Sequence, residues 1–279
     1  MRSNNPVMAR LPGAERYTEQ GQNQGYQGFG SPAEPAAPAA PPRSQDRPIT
    51  VDDVVIKTGI TLAIIVAAAA VSFGLSVATG NPGISMLLTG IGAIGGFITV
   101  LVWSFKRNFG SPATTITYAV FEGLFVGGFS MVFSGVLIGN ENAGAIIAQA
   151  IVGTLGVFAG MLVVYKVGAI KVTNKFSRVL TACIAGVAVL LLVNLVVSLF
   201  TGGGLILRDA GPIGIIFSLV CIVLAALSFL QDFDVADKLV RAQAPSKEAW
   251  GVALGLAVTL VWLYTEILRL IAIFARSDN

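Results

Sequence analysis

The sequence contains no histidine, the side chain that most often binds metals and the only one that titrates near neutral pH without a special environment. Zinc-dependent hydrolases with seven spans and serine proteases of the rhomboid type need histidine, so neither class fits. Any response to pH must therefore come from carboxylic acids inside the protein, because burial favours the neutral form of such groups.

Other residues that would mark an enzyme are also missing. The Gly-x-Gly-Asp motif of intramembrane aspartyl proteases is absent, and residues 248–275 contain no lysine that could carry retinal. The two cysteines, Cys183 and Cys221, lie in separate apolar stretches and are interpreted as small buried side chains, not as a disulfide or a zinc site. We expect no enzyme activity, no catalytic residues, no metal centre and no cofactor.

Charged residues are scarce, at 12% of 279 residues, which is about half of the share typical of soluble proteins. Hydrophobic residues make up 54%. They form stretches long enough to cross about 30 Å of hydrocarbon, near residues 54–79, 84–105, 112–138, 143–165, 178–200, 212–236 and 248–275. The sequence therefore predicts an all-α integral membrane protein whose residues 54–279 form seven transmembrane helices.

Residues 1–53 have a different composition, rich in proline, glutamine, glycine and alanine. Such a segment cannot build a core, and it is predicted to be a disordered arm. The first apolar stretch begins only near Val54, which is too late for a cleavable leader.

Lysine and arginine are concentrated in alternate loops, which sets the predicted orientation. The rich loops hold Lys106 and Arg107, then Lys166, Lys171, Lys175 and Arg178, then Lys238, Arg241 and Lys247. The arm is therefore expected in the cytoplasm and the C-terminus on the outer side of the plasma membrane. The basic residues do not form one patch, so no nucleic-acid partner is expected.

Three acids crowd the end of the sixth apolar stretch: Asp232, Asp234 and Asp237. If the helix ends near residue 236, its dipole disfavours anions at that position. Acids placed so at the edge of a membrane span indicate an ion or proton site. Asp234 and Asp237 could instead be solvated and offset by Lys238 and Arg241.

Two further acids lie inside predicted spans, where a charge costs at least about 2.5–3.5 kcal/mol. Glu122 has no cation in its own stretch, so it is either a neutral hydrogen-bonded acid or a functional one. Glu266 precedes Arg269 by three residues, and this spacing predicts an internal ion pair.

Four pairs of glycines are spaced by three residues, a pattern that lets helices pack closely. They are Gly92 with Gly96, Gly123 with Gly127, Gly156 with Gly160, and Gly251 with Gly255. All four pairs are interpreted as packing positions.

The segments YAVFEGLF (residues 118–125), QDFDVAD (231–237) and LYTEILRL (263–270), together with seven spans, resemble the transmembrane Bax inhibitor motif family in its bacterial YccA-like branch. The opening MRSNNPVMAR is similar to the start of actinobacterial members. The resemblance covers the chain after the arm. It implies a bundle in which six helices surround a central seventh.

The resemblance also implies a function, because better-characterised relatives are pH-sensitive calcium leaks. Their sensor pairs an aspartate at the end of span six with one in the middle of span seven. The first matches Asp232, but the second position falls near Thr259, which is not an acid. A surviving sensor would need Asp234 or Glu122 as the partner of Asp232.

The predicted function is accordingly a pH-sensitive cation leak in the lipid bilayer, with calcium as the favoured ion. Calcium binds through several oxygen ligands, and Asp232, Asp234 and Asp237 with backbone carbonyls could form a weak site. The alternative is a regulator or adaptor that does not transport and that acts on a membrane-protein partner, such as a protease, through the arm or the lipid-facing surface.

Overall fold

The structure, a computed structural model, describes residues 47–105, 110–133, 143–201 and 211–277. Within these ranges the chain forms long helices: α1 (Val51–Thr79), α2 (Pro82–Phe105), α3 (Pro112–Met131), α4 (Ala143–Val167), α5 (Asn174–Thr201), α6 (Pro212–Arg241) and α7 (Ala249–Ser277). A short 3-10 helix, Ser246–Glu248, precedes α7. The same ranges contain no β-strand, only one isolated bridge between Pro48 and Pro245.

The sequence sets several helix ends directly. Thr50 caps α1: its hydroxyl accepts from the Asp53 backbone N–H while the Asp53 carboxylate accepts from the Thr50 backbone N–H. Ser111 caps α3 in the same way through the Thr114 N–H. Gly80 ends α1 with a φ of 58°, a left-handed conformation that glycine adopts without strain.

The described helices lie close to the predicted spans. The number of helices that could cross a membrane differs from the prediction. Six of them are long and apolar enough to cross a membrane: α1, α2 from Gly83, α4, α5 to Ser198, α6, and the stretch Ser246–Ala275. The described part of α3 does not meet that criterion, since it carries Glu122 and several hydroxyl residues, and residues 134–138 of the predicted span lie outside the described ranges. The molecule is thus a multi-pass membrane bundle, and the seventh crossing stays a prediction.

Helix α7 lies at the centre of the packing. In its most apolar stretch 72% of the residues are buried, against 39% in α6 and at most 22% in α1, α2, α4 and α5. It packs against α1, α3, α4 and α6, whereas α2 packs on α3 and α1, and α5 packs on α6. The arrangement agrees with the expectation that the last helix is the central one.

Large apolar side chains cover the outside of the bundle. Val66, Leu87, Val152, Leu192 and Val223 are all more than half exposed. A soluble protein rarely presents so much contiguous apolar surface, because exposing it to water is unfavourable. A bilayer removes that cost, so this surface faces lipid.

Three of the four glycine pairs fall into two groups. A Cβ at Gly92 would lie 2.3 Å from the Phe125 backbone N, and one at Gly127 would lie 2.3 Å from the Ala69 carbonyl oxygen. Gly96 and Gly123 are similarly tight. No described atom lies within 4 Å of such an atom at Gly156 or Gly160, so the described residues give the packing interpretation no support for that pair.

The folded part begins earlier than the predicted boundary between residues 53 and 54. Ile49 is only 2% exposed, and its backbone N–H donates to the Ala244 carbonyl at 2.8 Å. The Ser246 N–H donates in turn to the Arg47 carbonyl at 2.8 Å. Residues 1–46 of the predicted arm lie outside the described residues.

Candidate functional site

Asp232 and Thr259 join α6 to the central helix. The Thr259 hydroxyl donates to Asp232 Oδ2 at 2.8 Å, and it also lies 3.2 Å from the Gly255 carbonyl of its own helix. Thr259 is 7% exposed and Asp232 is half-buried. A side chain at Gly255 would begin 3.8 Å from Asp232 Oδ1, so the small residue leaves the carboxylate room against α7.

Asp232 is not at a helix end, contrary to the sequence expectation. Helix α6 continues to Arg241, so nine residues follow Asp232 within it. The unfavourable dipole acts only within the last turn, which holds the basic residues Lys238 and Arg241, and it therefore does not fall on Asp232. The sequence placed the end near residue 236 because Asp234, Asp237 and Lys238 are polar, but polarity marks the edge of the apolar stretch and not the end of the helix.

The other two acids of the sixth span form ion pairs with basic residues of their own helix. Lys238 Nζ lies 2.5 Å from Asp234 Oδ2, and Arg241 Nε lies 2.9 Å from Asp237 Oδ2. The hydroxyl of Tyr165 also reaches Asp237, at 3.5 Å. These pairs match the solvated alternative considered for Asp234 and Asp237.

The three acids therefore do not form the expected calcium site. Among the described residues, no group of three or more acids or cysteines could hold a metal ion. Only Asp232 faces the central helix, through Thr259.

Glu122 occupies a separate place between α2 and α3. A Cβ at Gly96 would lie 2.8 Å from Glu122 Oε2, so the carboxyl group rests directly on that glycine. Its side chain is hydrogen-bonded to Tyr118, one turn earlier on the same helix. No hydrogen bond or ion pair connects Glu122 to Asp232 within the described ranges, and the proposed pairing of these two acids finds no support in the geometry.

The predicted ion pair between Glu266 and Arg269 is present. Arg269 Nη2 lies 3.0 Å from Glu266 Oε2, and both side chains are fully buried. Ser218 of α6 completes the cluster: its hydroxyl donates to Glu266 Oε2 at 2.6 Å and accepts from Arg269 Nη2 at 2.5 Å. Sequence reasoning missed Ser218, although a serine inside an apolar stretch facing a charged helix was a usable sign.

Two polar links join α6 to α7. One joins Asp232 to Thr259, and the other joins Ser218 to the pair Glu266–Arg269. Around the first link pack apolar side chains of both helices, among them Phe229, Phe233 and Leu256.

Long apolar helices, a lipid-facing outer surface and buried ionisable groups around one central helix define a multi-pass α-helical membrane protein. The family model described as Bax inhibitor 1 like matches residues 5–276. The chain therefore belongs to the Bax inhibitor 1 like family. No curated protein matches the sequence.

Proposed function

We propose that the protein is a pH-sensitive cation leak, with calcium as the favoured ion, and that Asp232 is its proton-responsive group. The single observation that carries the proposal is the 2.8 Å hydrogen bond from Thr259 to Asp232 across the interface of α6 and α7. This is the one place where an acid of the sixth helix meets the position that the family resemblance assigns to a second acid.

The mechanism follows from the charge on Asp232. An ionised carboxylate accepts the Thr259 hydrogen strongly, because hydrogen bonds to charged groups contribute about 1.5–3 kcal/mol. Protonation removes the charge and weakens that bond, so α6 is held less firmly against α7. Acid therefore favours the open state. Binding of one proton to Asp232 shifts the equilibrium between the closed and the open state.

The same carboxylate is suited to a passing cation. Calcium takes oxygen ligands, and a single carboxylate with nearby carbonyls would bind it weakly, as a leak requires. Tight binding would hold the ion in the path. Asp234 and Asp237 are engaged by Lys238 and Arg241, so in this proposal they do not act as ligands.

The test is calcium flux into liposomes that contain a calcium dye, measured over a range of pH. Wild type should leak more at low pH. Asp232→Asn carries no charge at any pH, so its flux should stay near the low-pH level throughout. Asp52→Asn makes the same change at an exposed acid of α1, and its calcium flux should depend on pH as in wild type.

Two results would contradict the proposal. No calcium flux in wild type at any pH would remove the leak itself. An unchanged pH dependence in Asp232→Asn would keep the leak but remove Asp232 as its sensor.

A non-transporting regulator remains the second candidate, and one observation favours it. Residues 47–49 contact residues 244–246, so the first described residues lie beside the α6–α7 connection. An arm bound there could report on or restrain that helix pair. Deletion of residues 2–46 keeps the Thr50 cap intact: a leak should survive it, and an adaptor acting through the arm should not.

A further inference from the structure

A second polar site lies away from Asp232, at the end of the bundle where α1, α3 and α7 begin. It is a cavity of about 290 Å³. Its lining comprises Arg47, Asp53, Lys57, Gly110, Pro112, Ser246, Lys247 and Trp250. The cavity is several times larger than the roughly 30 Å³ that a water molecule occupies in the liquid, so it has room for a polyatomic ligand.

The charges around this cavity do not balance. It is lined by three basic side chains and one acid. Asp53 is already saturated: Arg47 donates to both of its oxygens, at 2.8 and 2.6 Å, and Thr50 donates through its N–H at 3.0 Å and its hydroxyl at 2.8 Å. Arg47 and Asp53 therefore neutralise each other, and the charges of Lys57 and Lys247 are left over.

Lys57 is held at the cavity by two contacts that do not remove its charge. Its ammonium donates to the Ser246 carbonyl at 2.5 Å and lies 5.7 Å from the centre of the Trp250 ring. Both partners are neutral. The ammonium is thus positioned on a fixed wall and keeps donors for another acceptor.

Lys247 is positioned by Gly110. A Cβ at Gly110 would lie only 2.7 Å from Lys247 Cγ, so the missing side chain is what lets the lysine stem pass over the start of α3. Within the part of the chain that the structure describes, the Lys247 ammonium has no acidic partner. A cation of this kind would be stabilised by an anion in the cavity.

The backbone adds to the positive potential. Asp53 lies in the first turn of α1, Pro112 begins α3, and Trp250 lies in the first turn of α7. A helix N-terminus carries about half a positive charge on its free N–H groups. The caps Thr50 and Ser111 already accept one N–H each, Pro112 has none, and the first N–H of α7 bonds within the preceding 3-10 turn. The helix ends therefore add only weakly to the charge of the two ammonium groups at the cavity.

We infer that this cavity binds a phosphate group. Two lysines that line a cavity of this size, and whose charges no acid of the described residues neutralises, match an anion of one to two charges with several acceptor oxygens. This is the chemistry of a phosphate. Trp250 suits the edge of a bilayer, where its ring and N–H meet apolar and polar surroundings together. The phosphate is supplied either by an anionic phospholipid headgroup or by a free phosphate from solution.

The test uses the purified full chain in detergent and two probes. Inorganic phosphate is titrated by calorimetry against chloride at equal ionic strength, and retention of phosphatidylglycerol over phosphatidylcholine is counted by native mass spectrometry. Lys247→Gln removes one charge from an exposed position, and Lys247→Arg restores it. Lys171→Gln makes the same charge loss at the same end of the bundle, in the α4–α5 connection outside the cavity.

Wild type should bind one of the probes, and Lys247→Gln should weaken that binding roughly tenfold because one charge-assisted bond is lost. Lys247→Arg and Lys171→Gln should bind like wild type. Binding of inorganic phosphate identifies a free phosphate as the ligand. Selective retention of phosphatidylglycerol, with no binding of inorganic phosphate, identifies a lipid headgroup. Binding of neither probe, no loss in Lys247→Gln, or an equal loss in Lys171→Gln would overturn the inference.

Discussion

Arg269 donates to Glu266 at 3.0 Å, and neither side chain has any surface exposed. Ser218 of the neighbouring helix bonds to both. Two other guanidinium nitrogens, Nε and Nη1, are buried without a hydrogen-bond partner among the described residues. The cation therefore depends on Glu266 for its compensation, and Ser218 links the pair to α6.

Glu266→Gln should accordingly destabilise the bundle strongly. It leaves a buried arginine without its counter-charge, and breaking a buried pair from one side costs about 3–5 kcal/mol. Thermal unfolding in detergent measures the effect. The double variant Glu266→Gln with Arg269→Met should recover much of the loss, because it removes both charges and keeps the volume. Equal stability of wild type and Glu266→Gln would contradict the account.

Gly92→Ala and Gly156→Ala form a matched pair with opposite expectations. At Gly92 the new methyl group meets backbone atoms of α3 at 2.3 Å, which side-chain rotation cannot relieve. Overpacking of this kind costs typically 1–3 kcal/mol. Gly156 has open space, so alanine there should be neutral or slightly stabilising. The unfolding midpoints of the two variants test this difference. A similar loss of stability in both would show that α4 packs against a further partner at Gly156.

The helices could be predicted from the sequence because apolar length and terminal residues act locally. The predicted starts at residues 112 and 212 match α3 and α6, and the final apolar stretch matches α7, whereas α1 begins at Val51, three residues before its predicted start. The end of α6 could not be read in this way. Beyond Asp232 its turns are stabilised by the pairs Asp234–Lys238 and Asp237–Arg241, which continue the helix outside the apolar stretch.

The candidate site was predictable only in part, because partners across helices depend on rotation and register. The spacing of Glu266 and Arg269 fixed their pairing, since both lie on one helix. The partner of Asp232 did not follow from spacing: Asp234 and Glu122 were candidates, and the geometry selects Thr259. Gly156 and Gly160 show the same limit, since their pattern does not reveal which helix, if any, they face.

The orientation of the bundle is a further prediction. Lysine and arginine loops flank the ends at which α1, α3, α5 and α7 begin, so this side should be cytoplasmic. A reporter that is active only outside the membrane should work when it is fused after Asn279, and a reporter active only in the cytoplasm should not. The converse result would reverse the bundle and place both Asp232 and the basic cavity on the outer side.

Thr259→Asp tests whether Asp232 and residue 259 occupy the positions of a two-aspartate pH sensor. In this chain only the first of the two positions is an acid. The Thr259 hydroxyl oxygen lies 2.8 Å from Asp232 Oδ2, so a carboxylate at this position would lie within a few ångströms of the first. Two carboxylates so close do not both ionise cheaply, and they titrate as a coupled pair that shares a proton. The calcium leak of the variant should therefore change with pH in two steps, where wild type shows one.

Thr259→Val provides the matched control, since it keeps the shape of the side chain and removes only the hydroxyl. Loss of a hydrogen bond to a charged group should favour the open state, raising flux at neutral pH roughly tenfold. Thr154→Val makes the same change in α4, where the hydroxyl bonds only to its own helix at Ala150, and it should leak like wild type. The liposome assay separates the three variants. If Thr259→Val and Thr154→Val are indistinguishable, the hydroxyl of Thr259 does not hold α6 to α7, and the link between Asp232 and opening is lost.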